Sequence, residues 1–172
     1  TQVDPIDPGM VQSIEVLRGP SSSLYGNASG GVISINTVEG PKKGLESETH
    51  FELGQFGLEK YQFKFGGGSR QLNYRVYASH LNWEGYRDHS ATENSLVDGK
   101  FRWKKSPDSD WTFIVRHFYS PKANDPGGLT EAQVEANQRG ARPQNIIFDA
   151  GEEVKDTNFG LVNKRKLDSK QE

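Results

Sequence analysis

The chain has 172 residues, a hydrophobic content of 33% and a mean hydropathy of −0.78, which excludes a large dry core. Its 21 basic and 23 acidic residues give a net charge of −2, so composition offers no electrostatic case for nucleic acid. The absence of cysteine excludes disulfide scaffolds and thiolate metal sites, and no apolar run reaches the roughly 18 to 20 residues of a membrane helix. Because the opening residues carry no signal peptide, we expect a mature or truncated piece of a longer protein.

Two short apolar runs near the start flank a segment rich in glycine, proline and serine. The runs, residues 14–17 and 32–35, contain mostly β-branched residues, which predicts two strands joined by a compact turn. The backbone N–H groups of such a turn are able to hold phosphate, but no Lys-Ser/Thr ending and no helix pattern follow. The sequence therefore does not support a phosphate site.

The same stretch carries a longer motif. Residues 14–37, IEVLRGPSSSLYGNASGGVISINT, resemble the end of the plug domain of TonB-dependent outer-membrane receptors, where I-E-V-L-R-G-P leads to L-Y-G and then to G-G-V-I-x-I. The resemblance implies an all-β fold, in which the C-terminal part of a plug domain precedes about five to six antiparallel strands of an incomplete transmembrane β-barrel. Residues 1–40 would belong to the plug, 41–167 to the barrel and 168–172 to a tail.

The resemblance also assigns roles within this motif. The arginine of R-G-P, here Arg18, is expected to lock the plug in place together with Glu15. A buried guanidinium needs acidic partners, and glutamates of the barrel wall would supply them. The expected plug turn comprises Gly19, Pro20, Tyr25, Gly26, Gly30 and Gly31.

After a turn-rich, charged break at residues 38–44, apolar and polar residues alternate, which is the period-2 signature of β-strands. The pattern predicts an antiparallel β meander with one apolar and one charged face. Its predicted strands lie at residues 45–53, 60–65, 72–79, 97–103, 111–116 and, less regularly, about 154–166.

The chemistry of facing residues predicts the register of two hairpins, one centred on Phe56 and one across residues 106–110. Opposite charges and aromatic rings then meet across the strands, and each such pair contributes about 0.2 to 1 kcal/mol. The predicted partners are Glu52 and Lys60, Glu48 and Lys64, Phe51 and Tyr61, Thr49 and Phe63, Trp103 and Trp111, and Asp98 and Arg116.

Alternation by itself fits a soluble β-sandwich as well as a membrane barrel. The connections favour the barrel, because those at 66–71 and 105–110 are short whereas those at 82–93 and 120–153 are long. Outer-membrane barrels have this asymmetry of short turns at one end and long loops at the other. Amphipathic rings also collect at strand ends, where they suit the two interfaces of a bilayer. These residues are Trp83, Tyr86, Trp103, Trp111 and Tyr119.

The first long loop carries candidate extracellular ligand contacts. Trp83, Tyr86, Arg87 and His89 combine aromatic stacking with hydrogen bonding, which suits a bound ligand. The same composition fits an aromatic girdle at the membrane interface, and the girdle is the favoured interpretation.

The second long loop contains a short predicted helix. The segment D-P-G-G-L-T, residues 125–130, resembles one found in siderophore-type members of the same receptor family. Thr130 and Gln133 form a capping box, so we predict a surface helix over 131–139 that stops at Gly140.

No catalytic or metal site emerges from the sequence. The four histidines, at positions 50, 80, 89 and 117, lack metal-ligand spacing, and the serines at 21–23 have no nucleophile elbow or neighbouring base. We therefore expect no enzyme activity and no cofactor.

The resemblance implies that the complete protein takes up a scarce ligand across the outer membrane of a Gram-negative cell, with a ferric siderophore as the expected cargo. Its expected partners are that ligand, outer-membrane lipid and TonB, which would act through a segment absent here. Two other classes remain open. A soluble β-rich binding or adhesive domain would unfold cooperatively without detergent, and an outer-membrane barrel enzyme would need a Ser or Asp/His constellation downstream.

Overall fold

The structure is a computed structural model that describes residues 6–19 and 30–166. The chain divides into two compact units, Thr1–Glu39 and Gly40–Glu172. The described residues form eight β-strands, arranged as a two-stranded and a six-stranded antiparallel sheet, with three short helical segments. This mostly β architecture confirms the predicted fold class.

The first unit is a β-hairpin preceded by a 3₁₀ turn at Pro8–Met10. Strand β1, Val11–Arg18, pairs antiparallel with β2, Gly31–Thr37, and both strands extend beyond the apolar runs that predict them. Because the ladder requires only backbone N–H and C=O groups, it continues through polar neighbours on either side of those runs.

The second unit is a single meander in which each strand pairs with the next one along the chain. Among the described strands, β3 and β8 form the two edges, so the sheet is not closed. Two short helices, α1 at Glu131–Ala136 and α2 at Pro143–Ile147, lie in the connection between β7 and β8. The strands are β3 Gly44–Gly54, β4 Leu58–Gly68, β5 Leu72–Trp83, β6 Thr92–Ser106, β7 Ser109–Asn124 and β8 Gly151–Arg165.

The predicted register is confirmed in both hairpins. All six expected partners lie directly opposite one another in the β3–β4 and β6–β7 ladders. Two of the expected charge pairs also form ion pairs, with Lys64 Nζ 3.1 Å from Glu48 and Arg116 Nε 3.0 Å from Asp98. The side chain of Asp98 is only 8% exposed, so this second pair is the less screened of the two.

The predicted connections are longer than the observed ones. The turn expected over 66–71 covers only 69–71, because β4 continues through Gly68. The long connections are shorter than expected, since β6 already begins at Thr92, β7 reaches Asn124 and β8 begins at Gly151. Backbone pairing thus extends beyond the residues whose apolar alternation predicts the strands.

The predicted helix after Thr130 also ends early. Its start is right, since the Thr130 N–H donates to Gln133 Oε1 at 2.9 Å. The helix stops at Ala136 with Asn137 as its C-cap, and Gly140 is not its terminator. Instead, the Gly140 carbonyl accepts a hydrogen bond from Arg87 Nε at 2.9 Å, so a long-range contact redirects the chain here.

The six-stranded sheet has two chemically distinct faces. We call apolar face the one that carries Phe63, Phe101, Phe113 and Phe159, and polar face the opposite one. On the apolar face Phe63 is 45% exposed and Phe159 71% exposed, whereas the most buried side chains of the sheet, such as Tyr77, belong to the polar face. The phenylalanine rings of the apolar face therefore point away from the protein's own packing.

Two rows of cross-strand neighbours border the apolar face. One row carries Trp103 and Trp111, and the other includes Tyr119. Trp111 and Tyr119 are separated by about 26 Å along β7 at about 3.3 Å per residue, which corresponds to a height of about 20 Å for a strand tilted by about 40°. This height is close to the roughly 25 Å apolar band of outer-membrane barrels.

Replacing Phe159 by arginine tests whether the apolar face contacts lipid or water. In phospholipid vesicles we expect Phe159→Arg to lower the free energy of unfolding by about 2 to 4 kcal/mol, because a guanidinium then lies within hydrocarbon. The adjacent Val162→Arg, which projects from the polar face, is the control and should cost less than about 1 kcal/mol. Urea unfolding of the protein in vesicles measures both, and equal small effects would show that water covers the apolar face.

Candidate functional site: the polar face and the loop cluster

The polar face carries a set of paired charges. Glu48 pairs with Lys64, Asp98 with Arg116, and Arg75 Nη2 lies 3.8 Å from Glu46. Since each charge faces one of opposite sign, this face does not form a large field of a single sign. The polar face therefore offers hydrogen-bonding groups to a polar neighbour without strongly attracting ions of either sign.

Tyr77 is the most buried large side chain of this face, at 1% exposure. Its hydroxyl accepts a hydrogen bond from Gln62 Nε2 at 2.8 Å, so the phenol is buried with its polar end satisfied. Leu96 and Phe118, both 2% exposed, lie on neighbouring strands of the same face. These side chains give the polar face a packed apolar centre among its charges.

Arg87 joins the two long loops of the sheet. Its guanidinium donates to three backbone carbonyls of the β7–β8 connection: Gly140 at 2.9 Å, Gly127 at 2.8 Å and Pro126 at 3.3 Å. Its own turn is fixed by Ser90, whose Oγ accepts from the Arg87 N–H and donates to the Arg87 carbonyl. A rigid fork of donors suits this role, because several carbonyls are bound by one side chain.

His89 forms the second link between these loops. Its Nδ1 accepts from Asn124 Nδ2 at 3.2 Å, and its Nε2 therefore donates to the Ala150 carbonyl at 2.8 Å. The carboxylate of Asp149 lies 3.9 Å from Nε2. The ring thus ties β7 to the residue that precedes β8.

Arg139 links the two long loops to a third connection, the turn between β3 and β4. Its guanidinium carbon lies 5.3 Å from the ring centroid of Phe56 and 5.9 Å from that of Tyr86, both within cation–π range. The two rings meet edge to face at 5.2 Å, and Arg139 Nε donates to the Tyr86 carbonyl at 2.9 Å. We call loop cluster the three connections joined in this way, residues 55–57, 84–91 and 125–150.

The structure brings together three of the four predicted ligand contacts. Tyr86, Arg87 and His89 lie in the loop cluster, where the side chains of Arg87 and His89 bind loop carbonyls. Trp83 is the last residue of β5, opposite Thr92, on the polar face. Ligand contact by these residues stays a prediction, and the hydrogen bonds show that Arg87 and His89 shape the loops.

Two members of the loop cluster, Phe56 and Arg139, are not among the predicted ligand contacts. Phe56 adopts a φ of 59° at the tip of a hairpin, and Arg139 is separated from it by more than eighty residues. Neither position belongs to a motif, since their contact depends on how three separate connections fold back over one end of the sheet.

The hairpin of the first unit places the predicted locking residues on opposite faces. Arg18 lies opposite Gly31 and Glu15 opposite Ser34. Because they are three residues apart on one strand, their side chains project to opposite sides and need separate partners. The locking role of both residues stays a prediction.

The predicted plug turn lies largely outside the described residues, among them Pro20, Tyr25 and Gly26. At its described end, Gly31 has a φ of 134°, and a Cβ there would lie 2.6 Å from the Leu17 carbonyl oxygen. Glycine is thus required at position 31 by both conformation and space. No such contact surrounds Gly30, and Gly19 has a φ of 100°.

Two features are absent from residues 6–19 and 30–166. No group of three or more His, Asp or Glu side chains there is arranged to hold a metal ion. No helix in those ranges has the length and apolar character needed to cross a membrane.

The sequence matches a known domain family at its start. Residues 1–32 match the family model described as "TonB-dependent Receptor Plug Domain". This range includes the R-G-P segment and most of the motif from which the resemblance is predicted.

Curated relatives extend the similarity over most of the chain. The ferrioxamine receptor of Yersinia enterocolitica is 27% identical over 135 residues, which cover 77% of this chain and 18% of that receptor. A metal-pseudopaline receptor of Pseudomonas aeruginosa is 27% identical over 146 residues, 83% of this chain and 20% of the receptor. The ferrichrome outer membrane transporter/phage receptor of Escherichia coli is 26% identical over 141 residues, 80% of this chain and 19% of the transporter. The matched regions thus span about a fifth of each relative.

The hydrogen bonds of Arg87 predict how the loop cluster responds to its loss. Arg87→Ala removes three bonds from a charged donor, so we expect residues 125–142 to lose about 3 kcal/mol of local stability. Amide hydrogen exchange in that segment should accelerate by about two orders of magnitude. The control is Arg70→Ala, in an exposed turn at the other end of the sheet, and similar exchange in both variants would contradict the bracing role.

Proposed function

Since the chain is a segment of a TonB-dependent receptor, we propose that the protein containing it takes up a scarce ligand across the outer membrane of a Gram-negative cell. The six-stranded sheet forms part of the barrel wall, with its apolar face toward lipid. The polar face then borders the interior of the barrel, and the loop cluster lies on the extracellular side. Residues 1–40 contribute to the plug.

The observation that carries this proposal is the exposed apolar face. A water-soluble domain rarely leaves so many large apolar side chains uncovered, whereas a lipid-facing wall requires them. On β8, Phe159 and Leu161 are 71% and 66% exposed, and both lie between the bordering rows. The match of residues 1–32 to the plug domain supports the same assignment.

We propose that the ligand is a ferric siderophore. The support comes from the relatives, two of which are a ferrioxamine receptor and a ferrichrome transporter. A third relative is a receptor for metal-pseudopaline, which broadens the ligand class to metal complexes of small chelators. TonB is the proposed energy-coupling partner, and every named relative is a receptor or transporter, which agrees with a function other than catalysis.

Uptake by the complete protein tests the ligand class directly. A strain that lacks its own siderophore receptors and expresses the full gene should accumulate radioactive iron supplied as ferrichrome or ferrioxamine. Accumulation should disappear when TonB is deleted or the proton gradient is collapsed. Uptake of metal-pseudopaline alone would replace the ferric siderophore by another metal complex. If none of the three complexes is taken up and the purified chain unfolds cooperatively without detergent, a soluble β-rich domain is the better interpretation.

Arg18 offers a second test through plug retention. We expect Arg18→Ala to weaken the hold on the plug by about 3 kcal/mol, because acidic partners within the barrel lose their cation. Cells carrying this variant should become sensitive to a large hydrophilic antibiotic that the intact outer membrane excludes. Gln12→Ala, an exposed change on the same strand, is the control. Equal resistance of the two strains would remove Arg18 from the locking role.

A further inference from the structure

The two units of the chain are joined by a very short segment. The Val38 N–H donates to the Met10 carbonyl at 2.9 Å, which fixes Val38 within the first unit. Gly40, the first residue of the second unit, is fixed in turn by the side chain of Asn73. Val38 and Gly40, which flank Glu39, are thus each held within their own unit.

Asn73 holds the start of the second unit with three hydrogen bonds. Its Oδ1 accepts from the Gly40 N–H at 3.1 Å, and its Nδ2 donates to the carbonyls of Gly40 at 3.0 Å and Pro41 at 2.8 Å. Both the donor and the acceptor groups of the amide are used, and all three bonds are partly buried. One side chain thus replaces the ladder partners that residues 40 and 41 lack.

The glycines at the end of β4 make room for this segment. A Cβ on Gly68 would lie 1.7 Å from the Pro41 carbonyl oxygen and 2.7 Å from the Lys42 carbonyl carbon, both backbone atoms that cannot swing aside. On the same face, a Cβ on Gly66 would lie 3.0 Å from Pro41 Cδ. Pro41 and Lys42 therefore pass directly over the backbone of β4, which only glycine permits.

Glycine is required at position 67, the middle of the run, for a different reason. Gly67 projects to the apolar face, where a Cβ would lie 2.5 Å from the ring of Tyr74, its cross-strand neighbour. The aromatic ring covers the space that the missing side chain leaves. The run Gly66–Gly67–Gly68 is therefore a structural element with a distinct contact for each residue, and it is neither a turn nor a flexible linker.

We propose that Asn73 and Gly66–Gly68 form an anchor that holds residues 40–42 on the sheet when the first unit moves. This inference rests on the proposed function in one respect, because it assumes that the plug moves during uptake. When the plug is displaced, the anchor keeps Gly40 in place. The displacement therefore does not disturb the pairing of β3, which begins only four residues later.

A nitroxide label at position 42 tests the anchor in the complete receptor, in a cysteine-free background. Lys42 is exposed and has no hydrogen bond or ion pair of its own among the described contacts, so Lys42→Cys leaves the anchor intact. We expect an immobile spectrum in the parent protein and a shift to the mobile line shape in Asn73→Ala. Asn73→Asp keeps the acceptor for Gly40 and loses both donors, so it should give an intermediate spectrum.

Gly68→Ala should displace the label as well, because the added methyl occupies the position of the Pro41 carbonyl. Gly160→Ala is the matched control on β8, where a Cβ would lie 3.6 Å from Ile114, an ordinary contact distance. A mobile label in the parent, or an unchanged spectrum in both Asn73→Ala and Gly68→Ala, would overturn the proposal. The spectra do not depend on transport, so the label still reports on the anchor if siderophore uptake fails. If Gly68→Ala does not assemble, the spectrum of Asn73→Ala alone decides whether the anchor exists.

Discussion

The antiparallel ladder is the constraint on which the rest of this structure depends. Side chains alternate between faces with a period of two, so a slip of one residue would exchange the apolar face for the charged one. The pairing of Trp103 with Trp111, and of Asp98 with Arg116, fixes this register in the same hairpin from both faces. The exposure of the phenylalanines and the pairing of the charges are two results of one alignment.

The two ends of the sheet are stabilised by different chemistry. At the long-loop end, arginine and histidine side chains bind carbonyls from other connections, since irregular backbone has no ladder partners of its own. At the short-turn end, Asn73 does the same for the segment that enters β3. In both places a polar side chain supplies the hydrogen-bond partner that secondary structure does not provide, so the loops and residues 40–41 belong to the ordered sheet unit.

The features predicted correctly from the sequence are those governed by local periodicity. Alternation, facing charges and paired tryptophans are enough to place the six strands of the sheet and six cross-strand pairs, because each depends on neighbours along the chain or across one turn. The features predicted wrongly depend on distant contacts. Gly68 belongs to a run with the composition of a turn, yet it lies in a strand, where it pairs with Gly44 and Asn73. The helix expected to end at Gly140 ends at Ala136, and the Gly140 carbonyl is bound by Arg87 from another connection. The aromatic and cationic contact between Phe56 and Arg139 has no local signature at all.

The distribution of the three tryptophans gives the sheet an internal optical marker. Trp103 and Trp111 are cross-strand neighbours beside a short turn, whereas Trp83 ends a strand at the opposite end of the sheet. Two of the three indole fluorophores therefore lie at the short-turn end. A quencher placed at that end would dim their emission separately from that of Trp83, so that the two ends of the sheet are distinguishable by light emission without any added dye.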